Sequence, residues 1–123
     1  MTIILGYIYC FIALLALILL TFNFSLVNWS MLPKNKNLLL RSEIFWLLIT
    51  GFVLVNSTPL NWIVGLVMLL HAYNFYLLFF NTDYFYDSVN EAQETIPEYY
   101  MDLIGILTFA IIGFIVIYSP SII

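Results

Sequence analysis

The sequence predicts an all-α, polytopic membrane protein with four transmembrane helices. Three observations predict it. Of 123 residues 64% are hydrophobic, and only three Lys/Arg and seven Asp/Glu carry charge; a soluble domain is near a quarter charged. The mean hydropathy is +1.07. The charges are also segregated: residues 1–33, 44–82 and 103–123 contain no Asp, Glu, Lys or Arg. This composition excludes a soluble enzyme, a nucleic-acid binder and a disordered tail.

The uncharged blocks are 33, 39 and 21 residues long. A helix needs about 20 residues to cross a hydrocarbon layer of ~30 Å. The first and third blocks therefore hold one span each, about 3–22 and 99–117. The middle block is too long for one. Asn56-Ser57-Thr58-Pro59 punctuates it with a turn signal, so it divides into spans at about 38–55 and 60–80. The second span sets Arg41 and Glu43 near an interface. Backbone groups in lipid must pair within their own segment, and no alternating pattern of a barrel is present, so the spans are helices. A cleaved leader would need a basic start, a shorter apolar core and a small-residue cleavage site; residues 1–26 show none, so span one is expected to stay. The single membrane domain then has loops at 23–37 and 81–98.

Lys34, Lys36 and Arg41 all fall between spans one and two. Basic residues within ~15–20 positions of a span favour the cytoplasmic side. Both loops are thus expected in the cytosol and both termini in the lumen. Segment 28–42 mixes Trp29, Met31 and Leu32 with the three basic residues, a composition suited to the headgroup layer of the lipid bilayer. Of three Asn-x-Ser/Thr sequons, those at Asn23 and Asn28 fall on the cytoplasmic side and that at Asn56 is pressed against the membrane. None is expected to be glycosylated.

Little here could carry chemistry. His71 is the only histidine and Cys10 the only cysteine, so no disulfide, no His/Cys metal site and no cofactor are expected, and the chain is read as no enzyme. His71 and Asn74 lie three apart on span three, on one face, with Tyr73 beside them. An ionisable group at this depth marks a functional position or, as read here, an interhelical hydrogen bond worth about 1 kcal/mol. Asp83, Asp87, Glu91, Glu94, Glu98 and Asp102 follow helical spacing. Pro97 and the repulsion of like charges four apart argue against one continuous helix. The segment is parsed as a short turn capped by Ser88-x-x-Glu91, then Pro97-Glu98 opening span four. Its charges form a solvated face or a docking surface for a basic partner. Gly51, Gly65, Gly105 and Gly113 are candidates for close helix approach.

Several polar stretches recur in a fixed order: Ser25-Leu26-Val27-Asn28-Trp29, then Asn37-Leu38-Leu39-Leu40-Arg41-Ser42-Glu43, then Tyr73-Asn74, then Asp87-Ser88-Val89. Their spacing resembles the cornichon family, small four-span cargo receptors of the early secretory pathway. That family carries Asp-Tyr-Ile-Asn-Pro after span one, Leu-Asn and Pro-Glu before span two, Tyr-Asn late in span three and an Asp-Pro/Ala-Thr loop motif. The likeness covers most of the chain at low identity. The chain departs from the pattern at Phe22-Asn23-Phe24-Ser25, where acidic residues are usual, at Leu69 in place of a proline, and at Glu91-Ala92 in place of a hydrophobic pair that meets the vesicle coat.

The resemblance implies an adaptor of the endoplasmic reticulum and Golgi membranes. Such an adaptor binds transmembrane cargo proteins sideways for export in COPII-type vesicles, with vesicle coat subunits as further partners of the acidic loop. The positions it singles out are Asn28, Asn37, Glu43, Tyr73, Asn74, Asp87 and Glu91, beside His71 from the residue reading. The alternatives are a structural subunit of a larger membrane complex, such as an organellar respiratory complex, and an auxiliary subunit of an ion channel. The topology has a direct test. A C-terminal tag should be protected from protease in sealed microsomes, and its digestion would mean an odd number of spans.

Overall fold

The computed structural model describes residues 2–122, and among them there is no strand. Six α-helices follow in order: α1 Thr2–Thr21, α2 Leu26–Ser30, α3 Lys36–Val55, α4 Trp62–Phe80, α5 Thr82–Thr95 and α6 Glu98–Ile122; a 3-10 turn over Pro33–Asn35 leads into α3. Helices α1, α3, α4 and α6 are each long and apolar enough to cross a membrane. No span buries more than 33% of its apolar window against the rest of the chain. Much of the remainder, including Phe11, Leu48, Leu66 and Phe114, is exposed, as a surface solvated by lipid requires. The chain is a multi-pass membrane protein.

The helix ends follow from local chemistry. α1 stops in a Schellman motif: Asn23 takes φ 63°, which an asparagine tolerates. The Asn23 and Phe24 amides donate to the Leu20 and Leu19 carbonyls. Ser25 caps α2 by accepting from the Asn28 amide. Asn61 caps α4, its Oδ1 accepting from the Ile63 and Val64 amides. Between α3 and α4 the chain leaves helix at Asn56 and turns through a cis Thr58–Pro59 peptide. Near the end of α6, Pro120 has no N–H to offer the Val116 carbonyl; the Ser119 hydroxyl donates to that oxygen instead.

Two expectations about the loops are corrected. The stretch read as a short turn is a 14-residue helix, α5, and Ser88 lies in its interior rather than at a cap. The six acids do not share one continuous helix, as expected, since Glu98 and Asp102 belong to α6. Phe85, Tyr86, Val89 and Ala92 are half-buried along one side, while Asp83, Asp87, Glu91 and Glu94 project from the other. In solvent their repulsion is screened and weak, so the apolar side decides. Pro97 lies in the break between α5 and α6, and α6 opens at Glu98 as the Pro97-Glu98 reading expects. The basic loop is also shorter than read, because α3 begins at Lys36 and residues 36–42 are already helical.

The four spans form two tight antiparallel pairs, α1 with α6 and α3 with α4, and touch less between pairs. Lipid supplies no hydrophobic drive for helix association, so close approach rests on small residues. In the first pair Gly6 faces Gly113: a Cβ on Gly113 would lie 2.9 Å from the Gly6 carbonyl oxygen and 3.1 Å from the Cys10 amide nitrogen. Gly105 makes room for Val27 of α2 in the same way. Gly51 and Gly65 meet only the side chains of Met68 and Leu54, at 3.4 Å and 3.8 Å; they are not contact points of that kind.

A core of Leu5, Tyr9, Trp46, Val53, Val64, Val67 and Val116 joins all four spans in the half of the bundle nearer the α3–α4 turn. A smaller cluster of Ala13, Ala16 and Ile106 holds only α1 to α6 in the other half. There the two pairs diverge. Gly113→Leu is expected to lower the thermal unfolding midpoint in detergent, at a cost of about 1–3 kcal/mol from overpacking. Gly65→Ala should leave the midpoint unchanged or slightly raised, since alanine is the better helix former.

Candidate functional site

The divergence of the two pairs leaves a cavity of about 500 Å³, lined from α1, α2, α3, α4 and α6. Its walls are mostly aliphatic and aromatic. Its polar lining is Ser30, Ser42, Glu43, His71, Asn74 and Thr108.

Glu43 and His71 meet on the floor of this cavity. Glu43 lies about 10 Å along α3 from Lys36, at 1.5 Å per residue. It is 8% exposed and His71 5%. The Nδ1 of His71 lies 2.8 Å from Glu43 Oε2, and its Nε2 lies 2.5 Å from the Tyr9 hydroxyl oxygen. The neutral Nδ1–H tautomer satisfies all three groups: Nδ1–H donates to the carboxylate and the Tyr9 hydroxyl donates to Nε2. One chain of hydrogen bonds thus ties α1 to α4 and α4 to α3.

Aromatic rings hold this chain in place. The Trp46 indole stacks on Tyr9 with centroids 4.3 Å apart and on His71 at 5.5 Å. Phe109 of α6 closes on Tyr9 at 5.6 Å. Tyr9 is completely buried, so its hydroxyl reaches no substrate. The arrangement can fix helices and present a carboxylate to the cavity.

A second polar knot stands where α2 meets the start of α6. Asp102, 3% exposed, sits one turn into α6. Its Oδ1 accepts from the Ser25 hydroxyl and, at 3.0 Å, from the Asn28 side-chain amide. The same Asn28 amide donates to the Glu98 carbonyl oxygen at 3.2 Å. These bonds pin α2 against the start of α6. At the opposite end of the bundle, Asn61 donates to the Ser119 hydroxyl at 2.7 Å, pinning the α3–α4 turn to α6.

The sequence candidates therefore separate. Glu43, His71 and Asn74 come together at the cavity, and Asn28 is apart from them, in the knot with Asp102. Near the start of α3, Glu43 turns inward onto His71 and is enclosed by protein rather than exposed. Tyr73 is 56% exposed on the outer face of α4. Asn37 is exposed at the start of α3, and Asp87 and Glu91 lie on the exposed side of α5. Asp102 does not share the solvated acidic face with which its spacing groups it.

Residue-by-residue reading missed Tyr9, Trp46 and Asp102. A tyrosine at mid-span needs a partner for its hydroxyl, and a carboxylate inside an apolar span needs donors; those were the available signals. No family model, curated protein or solved structure matches the chain.

His71→Leu strands the Glu43 carboxylate among apolar neighbours and should cost about 1–3 kcal/mol of stability. The double variant Glu43→Leu with His71→Leu should recover at least half of that loss. Unfolding in mixed micelles, read as a double-mutant cycle, measures the coupling.

Proposed function

We propose that the chain is a non-enzymatic, cornichon-like adaptor that binds transmembrane cargo sideways in the endoplasmic-reticulum and Golgi membranes and brings it to coated vesicles. The observation that carries this reading is the order and spacing of Asn28, Asn37, Glu43, Tyr73-Asn74 and Asp87. The fold adds support of a general kind. Its polar chemistry is spent on holding four spans together, and its outer surface is broad and apolar, suited to lateral association.

His71 faces inward and is committed to Glu43 and Tyr9, so cargo would not pair with it. A better lateral surface is the outer face of α4, where Leu69, Tyr73, Tyr76 and Phe80 repeat at helical spacing and are all at least 55% exposed. The two tyrosine hydroxyls have no hydrogen-bond partner among the described residues, and in hydrocarbon they would seek one on a neighbouring helix. On the cytosolic side the carboxylates of α5 would face coat subunits.

Deletion of the gene should trap a defined set of membrane proteins in the endoplasmic reticulum. Re-expression of the double variant Tyr73→Phe with Tyr76→Phe, folded but lacking both hydroxyls, should restore export several-fold less well than the wild type. Imaging and glycan processing of the trapped proteins report the result. Unchanged export in the deletion strain would refute the reading.

A further inference from the structure

We propose that the cavity between the two helix pairs is a lipid site. It takes one hydrocarbon chain of a membrane lipid that carries a hydroxyl, amide or ammonium near that chain, with the donor on Glu43 Oε1. The inference does not rest on the cargo-adaptor reading.

The cavity has the shape such a ligand needs. Its volume of about 500 Å³ falls within the range of small-molecule sites. Leu38 and Leu70 line it and are 47% and 45% exposed, so it opens sideways onto the hydrocarbon layer. Ala16, Ile106 and Ile112 provide an apolar wall. A partner helix fits poorly: at about 10–12 Å across, a single turn of it would nearly fill the space. An acyl chain is slim enough to lie along it.

The polar floor selects the headgroup. Glu43 spends only Oε2 on His71, and Oε1 has no hydrogen-bond partner among the described residues. Among those residues Oε1 is not one of the buried polar atoms sealed from the surface. Glu43 lines the cavity and is otherwise enclosed, so the open side of Oε1 is the cavity itself. Asn74, one turn along α4 from His71, also lines the cavity and has no side-chain partner among the described residues. A carboxylate oxygen facing hydrocarbon is a strong acceptor awaiting a donor. Lipids with a hydroxyl, amide or ammonium supply one; a fatty acid or phosphatidic acid brings a second negative charge and is repelled.

The protein is reconstituted in phosphatidylcholine nanodiscs doped separately with sphingosine, ceramide and oleic acid, and retained lipid is counted by native mass spectrometry. Sphingosine and ceramide should be retained about tenfold over oleic acid, the factor expected of one hydrogen bond to a charged group. Glu43→Gln should abolish the preference for sphingosine. Thr108→Phe, at an exposed position lining the cavity and away from the Glu43–His71 pair, should reduce retention of all three, and decides the matter if Glu43→Gln does not fold. A photo-crosslinker in place of Asn74 should add the mass of a lipid. Equal retention of oleic acid, retention unaffected by Thr108→Phe, or a crosslink to another protein's helix would overturn the proposal.

Discussion

A polar side chain surrounded by hydrocarbon must find its hydrogen bonds within the protein, and the chain Glu43–His71–Tyr9 is where this requirement shapes the bundle. The three groups come from three different spans. Satisfying the imidazole on both nitrogens brings α1, α3 and α4 to one point, and the stacked Trp46 ring keeps them in register. Without that chain the two helix pairs share mainly dispersion contacts, which lipid tails supply almost as well.

The remaining polar residues obey the same constraint at the ends of the bundle. Ser25, Asn28 and Asp102 secure α2 to α6 at one end, and Asn61 with Ser119 secures the turn between α3 and α4 to α6 at the other. Three of these side chains also serve a local need: Ser25 and Asn61 cap helices, and Ser119 covers a carbonyl that a proline leaves free. Buried polarity is used sparingly, and each knot joins segments that are distant in the sequence.

Packing is asymmetric for a related reason. Gly6 and Gly113 let α1 and α6 approach along their length, and α3 with α4 is held by a short turn. Between the pairs the broad core occupies only one half of the membrane depth. In the other half only Ala13, Ala16 and Ile106 form a buried cluster, between α1 and α6, and the cavity is the space that remains. Its carboxylate floor and sideways opening make it the most chemically distinctive surface of the protein. The opposite character, an apolar face with two free hydroxyls, belongs to the outside of α4. A lipid in the first and a neighbouring helix on the second could be accommodated together.

The number of spans, the break near Pro59 and the helical character of each segment were legible in the amino-acid order, because they depend on local quantities: apolar run length, charge placement and a proline. The inward pairing of Glu43 was not legible. Its position near the start of an apolar run reads as interfacial, and only the approach of α4 supplies the histidine that makes burial tolerable. Asp102 was hidden likewise: its spacing matches the acids of α5, yet α2, brought alongside α6 by the fold, provides the donors that bury it. That α5 is a full helix and not a short turn depends on the half-buried side that Phe85 and Val89 present, a tertiary fact. Periodicity and composition act along one segment at a time, whereas a buried charge is decided by what other segments bring to meet it.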